Sequence, residues 1–202
     1  MRTLVIDTAT AACSVALIEG DVVVGAIHRV VGRGHAERLV PMIAELPGGG
    51  RADTVLVDCG PGSFTGVRVG LAAAIGLGIG WGVPVHGYSS TALIAAAAFA
   101  DRPDWTTLAV VLEGGHGELF MQGFDRLLTP TGALASLTPE AVVAALAGRP
   151  AIGSGARFLP DSTATDMLPD AARAILLPDH ARTLPAKPIY GRAPDAKPQV
   201  RA

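Results

Sequence analysis

Apolar and polar positions switch period several times along the first half of the chain. "TLVIDTATAACSVALIEGDVVVGAIHRV" holds three short apolar runs, over residues 3–7, 14–19 and 22–29, broken by the turns at 8–11 and Gly20-Asp21. This pattern predicts an antiparallel meander of three strands. In "HAERLVPMIAEL" the positions Leu39, Met42, Ile43 and Leu46 fall at helical spacing, with Pro41 expected to bend the helix. A loop at "PGGGRAD" leads to a strand over 54–58, and then to a Gly/Ala-rich stretch that predicts a helix over 66–80. A short strand over 84–86 and an Ala-rich helix over 90–100 complete this half.

Near Asp101 the pattern restarts. "TLAVVLEGGHGELFMQGFD" reads as strand, tight glycine turn and strand, followed by a helix over Pro139–Leu146 and a strand over 150–153. Both halves open on an apolar strand that ends in an acid, Asp7 in one and Glu113 in the other, and both continue through a tight turn into a second strand. The repetition predicts an α/β protein of two lobes, each a mixed sheet led by an antiparallel hairpin and backed by helices. The lobes are expected over residues 1–102 and 103–185. A Pro-rich and charged tail over 186–202 is expected to lie on the surface or to be partly disordered.

Composition narrows the chemistry. Hydrophobic residues make up 50% of the chain but aromatic ones only 4%, so Ala, Val, Leu and Gly must fill the core. The net charge of −2, with no run of Lys or Arg, supplies no basic field for nucleic acid, so an RNA substrate would have to be held by a partner. Cys13 and Cys59 sit in apolar runs without a CxxC partner, which suits small core residues in a reducing cytoplasm and excludes a cysteine-rich zinc site. Asp7 interrupts the first apolar run, so no secretory signal is predicted. The uncharged stretch 69–100 raises the question of a membrane span. Pro84, His86, Ser89 and Ser90 break it into a core helix, a strand and a second helix, and no membrane is expected.

The stretch with the most candidate chemistry is "CGPGSFTGVRVG", between a strand and a helix. A Walker A loop requires a lysine that is absent here, and a G-x-G-x-x-G pattern beginning at Gly60 would place its third glycine at Thr65. What remains is the anion-binding capacity of a helix N-terminus. Arg68 in the first turn opposes the helix dipole by about 0.3–1 kcal/mol, a penalty that a nearby anion would remove. Two readings stay open. In one, Asp7, Thr8, Gly60, Gly62, Ser63, Thr65, Gly66 and Arg68 form an anion or nucleotide site; in the other the glycines serve a tight turn and Arg68 is solvated.

In the following helix Gly66, Gly70, Ala74 and Gly78 recur every four residues as a flat stripe. Each interior glycine costs about 0.8–1 kcal/mol relative to alanine, so another element must approach closely. Spacing does not decide whether that element belongs to this chain or to a partner. Asp7 and Asp58, both at strand ends, are either a metal-holding pair or solvated termini. His28, His35, His86, His116 and His180 form no HExxH or i,i+4 pair, and no G-x-S-x-G elbow surrounds Ser63 or Ser154.

The segments "LVIDTAT", "ACSVAL", "GRGHAERLVPMI", "GPGSFTGVRVG" and, less strongly, "PIYGRAPDA" resemble the TsaB family, the smaller proteins of the bacterial tRNA threonylcarbamoyladenosine system. The likeness is far better in the N-terminal half. It implies the two-lobed fold of the acetate kinase, sugar kinase, Hsp70 and actin superfamily. It also implies a larger TsaD paralogue that carries the metal and the transferase site, an ATPase, TsaE, that joins the pair, and tRNA contact only through the complex. Neither a cofactor nor a catalytic residue of its own is implied, and a homodimer is possible when the chain is alone.

Carried over through Val83-Pro84, the paralogue's H-x-x-x-H metal ligands fall at Ser90 and Ile94. The resemblance places the partner contact in the N-terminal lobe, which, with the stripe, nominates His35, Leu39, Met42, Ile43, Gly70, Ala74 and Gly78. Two departures stand out: "EGGHGE" replaces the D-A-R-like opening of the second lobe, and the segment between Leu177 and Pro185 is shorter than the usual helix. A small phosphotransferase or ATPase using Asp7 and Asp58 around a metal is the alternative from the enzyme class, with "GSGA" at 153–156 a weak second phosphate loop. A metallopeptidase is disfavoured because the ligand histidines are missing.

Overall fold

A computed structural model describes residues 1–160 and 164–192; the end of the predicted tail, 193–202, lies outside the described residues. Strands β1 (Arg2–Asp7), β2 (Ala12–Glu19) and β3 (Val22–Val30) form the antiparallel meander, in a register that sets Asp7 opposite Ser14. Helix α1 (His35–Glu45) runs through Pro41 without interruption. Next come β4 (Thr54–Asp58), α2 (Phe64–Trp81), β5 (Val85–Tyr88) and α3 (Ser90–Asp101), with β4 parallel to β1 and β5 parallel to β4. Ser63 caps α2 by accepting the Gly66 N–H, and Gly82, at φ 70°, lets the chain leave it.

The second lobe is led by the hairpin of β6 (Thr107–Gly115) and β7 (Glu118–Asp125). It adds β8 (Ala135–Leu137), α4 (Pro139–Leu146), β9 (Ala151–Ile152) and β10 (Ala164–Thr165). The chain then returns to the first lobe. A 3-10 helix, Ala171–Leu176, packs beside β2 and α3, and β11 (Leu184–Pro185) pairs antiparallel with β5. The two sheets read β11-β5-β4-β1-β2-β3 and β10-β9-β6-β7-β8. The return is fastened at Ser14, whose hydroxyl accepts the Ala171 N–H at 2.9 Å and donates to Asp170 at 3.2 Å.

Three apolar cores stack the elements in layers. Outside the first sheet, α1 and α2 cover Leu4, Ile6, Val15, Val55 and Val57. Between the sheets, Leu93, Ile94 and Phe99 of α3 fill a continuous core with Val5, Leu56 and Tyr88 on one side and Leu108, Val110 and Phe120 on the other. Outside the second sheet, α4 adds Val142 and Leu146 to a smaller core. The lobes are therefore joined through α3 rather than by a bare linker.

Candidate functional site

Adjacent parallel strands bring Asp7 and Asp58 together at their ends, since Ile6 of β1 stands beside Val57 of β4. Both carboxyls are buried. Asp7 accepts the Ala9 N–H at 3.3 Å and the Tyr88 hydroxyl at 2.9 Å. Asp58 accepts the Gly60 N–H at 2.7 Å and the Ser90 hydroxyl at 2.8 and 2.7 Å. Burial pushes both above the usual carboxylate range, Asp58 further because Asp7 repels its charge. Two carboxylates this close and this buried disfavour double ionisation, so the pair titrates as a unit. The pair tightens two turns and is buried, so it is not a pair of solvated strand ends.

The glycine loop folds back onto the β1–β2 turn. The Ser63 N–H donates to Ala9 O at 2.6 Å, the Thr8 hydroxyl donates to Gly66 O at 2.7 Å, and the Val67 N–H donates to Ser63 O at 2.9 Å. A Cβ at Gly62 or Gly66 would collide with the Ala9 or Thr8 carbonyl, which explains the glycines. Of the expected anion-site residues, Asp7, Thr8, Gly60 and Gly66 are buried in this turn, while Ser63, Thr65 and Arg68 are exposed. Arg68 lies 3.5 Å from the Phe64 ring centroid and donates to the Tyr190 hydroxyl at 3.1 Å. An aromatic face thus offsets the dipole penalty, a contact that helix spacing could have suggested for Phe64 and Arg68 but not for Tyr190.

Beyond this loop a cleft of about 1050 Å³ opens between the lobes, lined among others by Thr10, Ser63, Arg68, Glu113, His116 and Arg157. The "EGGHGE" stretch forms its opposite rim at the β6–β7 turn, where Glu113 pairs with Arg157. Cys13 and Cys59 are buried free thiols pushed up to about 11 by burial, as inert core residues are. His35 is a satisfied buried histidine, its Nε2 3.2 Å from Ala12 O.

The expected partner-contact residues require a correction. His35, Leu39, Met42 and Ile43 of α1, and Gly70, Ala74 and Gly78 of α2, are all buried within the chain itself. The small-residue stripe lets α2 approach its own sheet: a Cβ at Gly70 would stand 2.5 Å from Thr8 Oγ1, and one at Gly78 would collide with Val85. In the folded chain these residues are covered by the chain's own sheet and helices. Facing outward instead are Val40 of α1 and Ala72, Ile75, Gly76 and Ile79 of α2, with Val40 60%, Ile75 43% and Ile79 79% exposed. By length and composition α2 is long and apolar enough to cross a membrane, yet its Gly/Ala face lies on β1 and β4.

The positions that match the paralogue's metal ligands do not fit a metal. The Ser90 hydroxyl is committed to Asp58, and Ile94 is buried in the interlobe core. Among the described residues no group of three or more His, Cys, Asp or Glu side chains converges.

Two mixed sheets, each led by a hairpin and packed on either side of α3, define a two-lobed α/β protein. The profile of the family described as TsaD: tRNA N6-adenosine threonylcarbamoyltransferase matches residues 22–145, and the chain belongs to this family, with its relatives on the TsaB (YeaZ) side. It is similar to the tRNA threonylcarbamoyladenosine biosynthesis protein TsaB of Escherichia coli (strain K12), 37% identical over 133 residues, which are 62% of this chain and 56% of that relative. It is also similar to the TsaB protein of Haemophilus influenzae, 42% identical over 102 residues, 48% of this chain and 42% of that one. The chain spans about half the length of the curated relatives it matches. The solved structure of YeaZ from Pseudomonas aeruginosa superposes with a TM-score of 0.78 at 27% identity, covering 94% of this chain and 99% of that chain.

Proposed function

We propose that this chain is the accessory, non-catalytic subunit that binds and activates a TsaD-type paralogue in the cytoplasm. The ATPase TsaE joins the pair, for threonylcarbamoylation of the adenosine next to the tRNA anticodon. Beside family membership, the observation that carries the reading is the outer face of α2. A helix apolar on all sides is ordinarily covered on all sides. Here the inner stripe meets the chain's own sheet, and Ile75 and Ile79 are left to solvent with no charged residue between Val69 and Trp81. Ile75 and Ile79, one turn apart on this face, are exposed apolar residues of the kind that mark protein–protein contact. The net charge of −2 agrees with tRNA being held by the complex rather than by this chain alone.

The test is co-purification with the TsaD paralogue. Ile79→Arg and Ile75→Arg are expected to abolish the complex, and any self-association of the lone chain, while leaving its melting temperature essentially unchanged. Retained assembly with both variants would remove this face from the reading. In the enzymatic alternative a metal would have to bind Asp7 and Asp58 oxygens that already accept from Ala9, Tyr88, Gly60 and Ser90 in a buried site. Stoichiometric nucleotide turnover by the purified chain alone would revive it.

A further inference from the structure

We propose that residues 186–192 act as a strap that walls one side of the interlobe cleft and couples the two loops at its mouth. The strap leaves β11 in the first sheet and is held there twice more. The Ile189 N–H donates to Cys59 O at 2.7 Å, and Tyr190 receives the Arg68 guanidinium on its hydroxyl, with its ring 6.3 Å from that of Phe64. It then crosses to the second lobe. Gly191 lies so close against the Phe120 ring that a Cβ would collide with it, and Arg192 pairs with Glu118 at 3.2 Å. Glu118 is held in turn by the Ser136 hydroxyl at 2.6 Å. The "PIYGR" segment, left unexplained by any catalytic role, thereby acquires a physical one. Tyr190 is its fastening on the first lobe, Gly191 the close passage, and Arg192 the fastening on the second.

Every residue from Pro188 to Arg192 lines the cleft, so the strap is its wall. The strap touches the interlobe core only through Phe120, and none of residues 186–192 belongs to that core, so the strap can let go while α3 keeps the lobes joined. The N-terminal anchor sits on the loop that follows β4, and the C-terminal anchor on the first residue of β7, just after the β6–β7 turn. Release at either end therefore loosens both rims of the cleft.

Hydrogen exchange by mass spectrometry on the full chain tests this. Arg192→Glu sets two carboxylates against each other at Glu118, and Gly191→Val drives a branched side chain into Phe120. Each is expected to speed exchange at least fivefold at Ile189, in residues 60–63 and in residues 113–118, with circular dichroism unchanged. The charge-swapped pair Glu118→Arg/Arg192→Glu is expected to restore protection in all three places. Faster exchange confined to 186–192, or no change anywhere in Arg192→Glu, overturns the proposal. Arg192→Glu alters a partly exposed ion pair outside the three cores, so it stands as the test even if Gly191→Val fails to fold.

Discussion

Asp7 and Asp58 form a buried pair whose full ionisation the fold opposes. The Asp58 carboxyl is buried beside that of Asp7, and with both ionised two negative charges would share one dry site. A carboxyl held above its unfolded value of about 4 binds more protons in the folded than in the unfolded chain, so stability falls as pH rises from that value toward the folded one. One extra bound proton gives a slope of about 1.4 kcal/mol per pH unit inside that window. In the Asp58→Asn variant the side-chain amide would keep an acceptor for the Gly60 N–H and Ser90 hydroxyl and a donor toward Asp7. Asp58→Asn is therefore expected to gain on the wild type as pH rises above the unfolded carboxylate value of about 4, which urea unfolding at a series of pH values would measure. A constant difference as pH rises would show that the pair binds no extra proton in the folded protein. That two acids end neighbouring strands is legible in the sequence. Their sealing is not, because it depends on Tyr88 and Ser90, which reach the pair from the end of β5 and the start of α3, far along the chain from either acid.

Helix α2 shows what periodicity can and cannot decide. The pattern locates the helix and groups Gly66, Gly70, Ala74 and Gly78 on one face, as the structure does, because a residue every four positions returns to the same side. What covers that face is not legible, since a helix with apolar residues all round has no polar side to mark the direction of solvent. The same limit applies to α1, where His35, Leu39, Met42 and Ile43 do share a face and it is the inward one. The two faces of α2 should respond differently to substitution. Gly70→Leu or Ala74→Leu forces atoms into a packed layer, which at Gly70 is the contact with Thr8, Ile6 and Val57, and is expected to cost about 1–3 kcal/mol or more in unfolding. The folded fraction should still bind the partner. Ile79→Arg should do the reverse. Thermal unfolding measured beside complex formation separates the two, and equal melting of Gly70→Leu and wild type would contradict the packing described for the stripe.

At the scale of the whole molecule, the restart of the strand-turn-strand pattern near Asp101 is enough to expect two lobes. It is not enough to show how the chain comes back. The 3-10 helix Ala171–Leu176 and the short strand β11 carry little periodicity of their own, and they lie against the first lobe because Ser14, β5 and α3 offer partners there. With that return, the central core contains residues from both sheets, from α3 and from the Ala171–Leu176 helix. Two lobes that share a core cannot melt independently, since unfolding either exposes the apolar surface of the other. The chain is therefore expected to unfold in one transition, with calorimetric and van't Hoff enthalpies in agreement. Ile94, fully buried at the centre of this shared layer, is the residue to probe. Ile94→Ala should lower stability by about 2–5 kcal/mol, through lost transfer energy and the cavity left behind, while keeping the single transition. If the variant instead splits into two melting steps, α3 belongs energetically to one lobe alone, and the layer between the sheets is a contact surface rather than a common core.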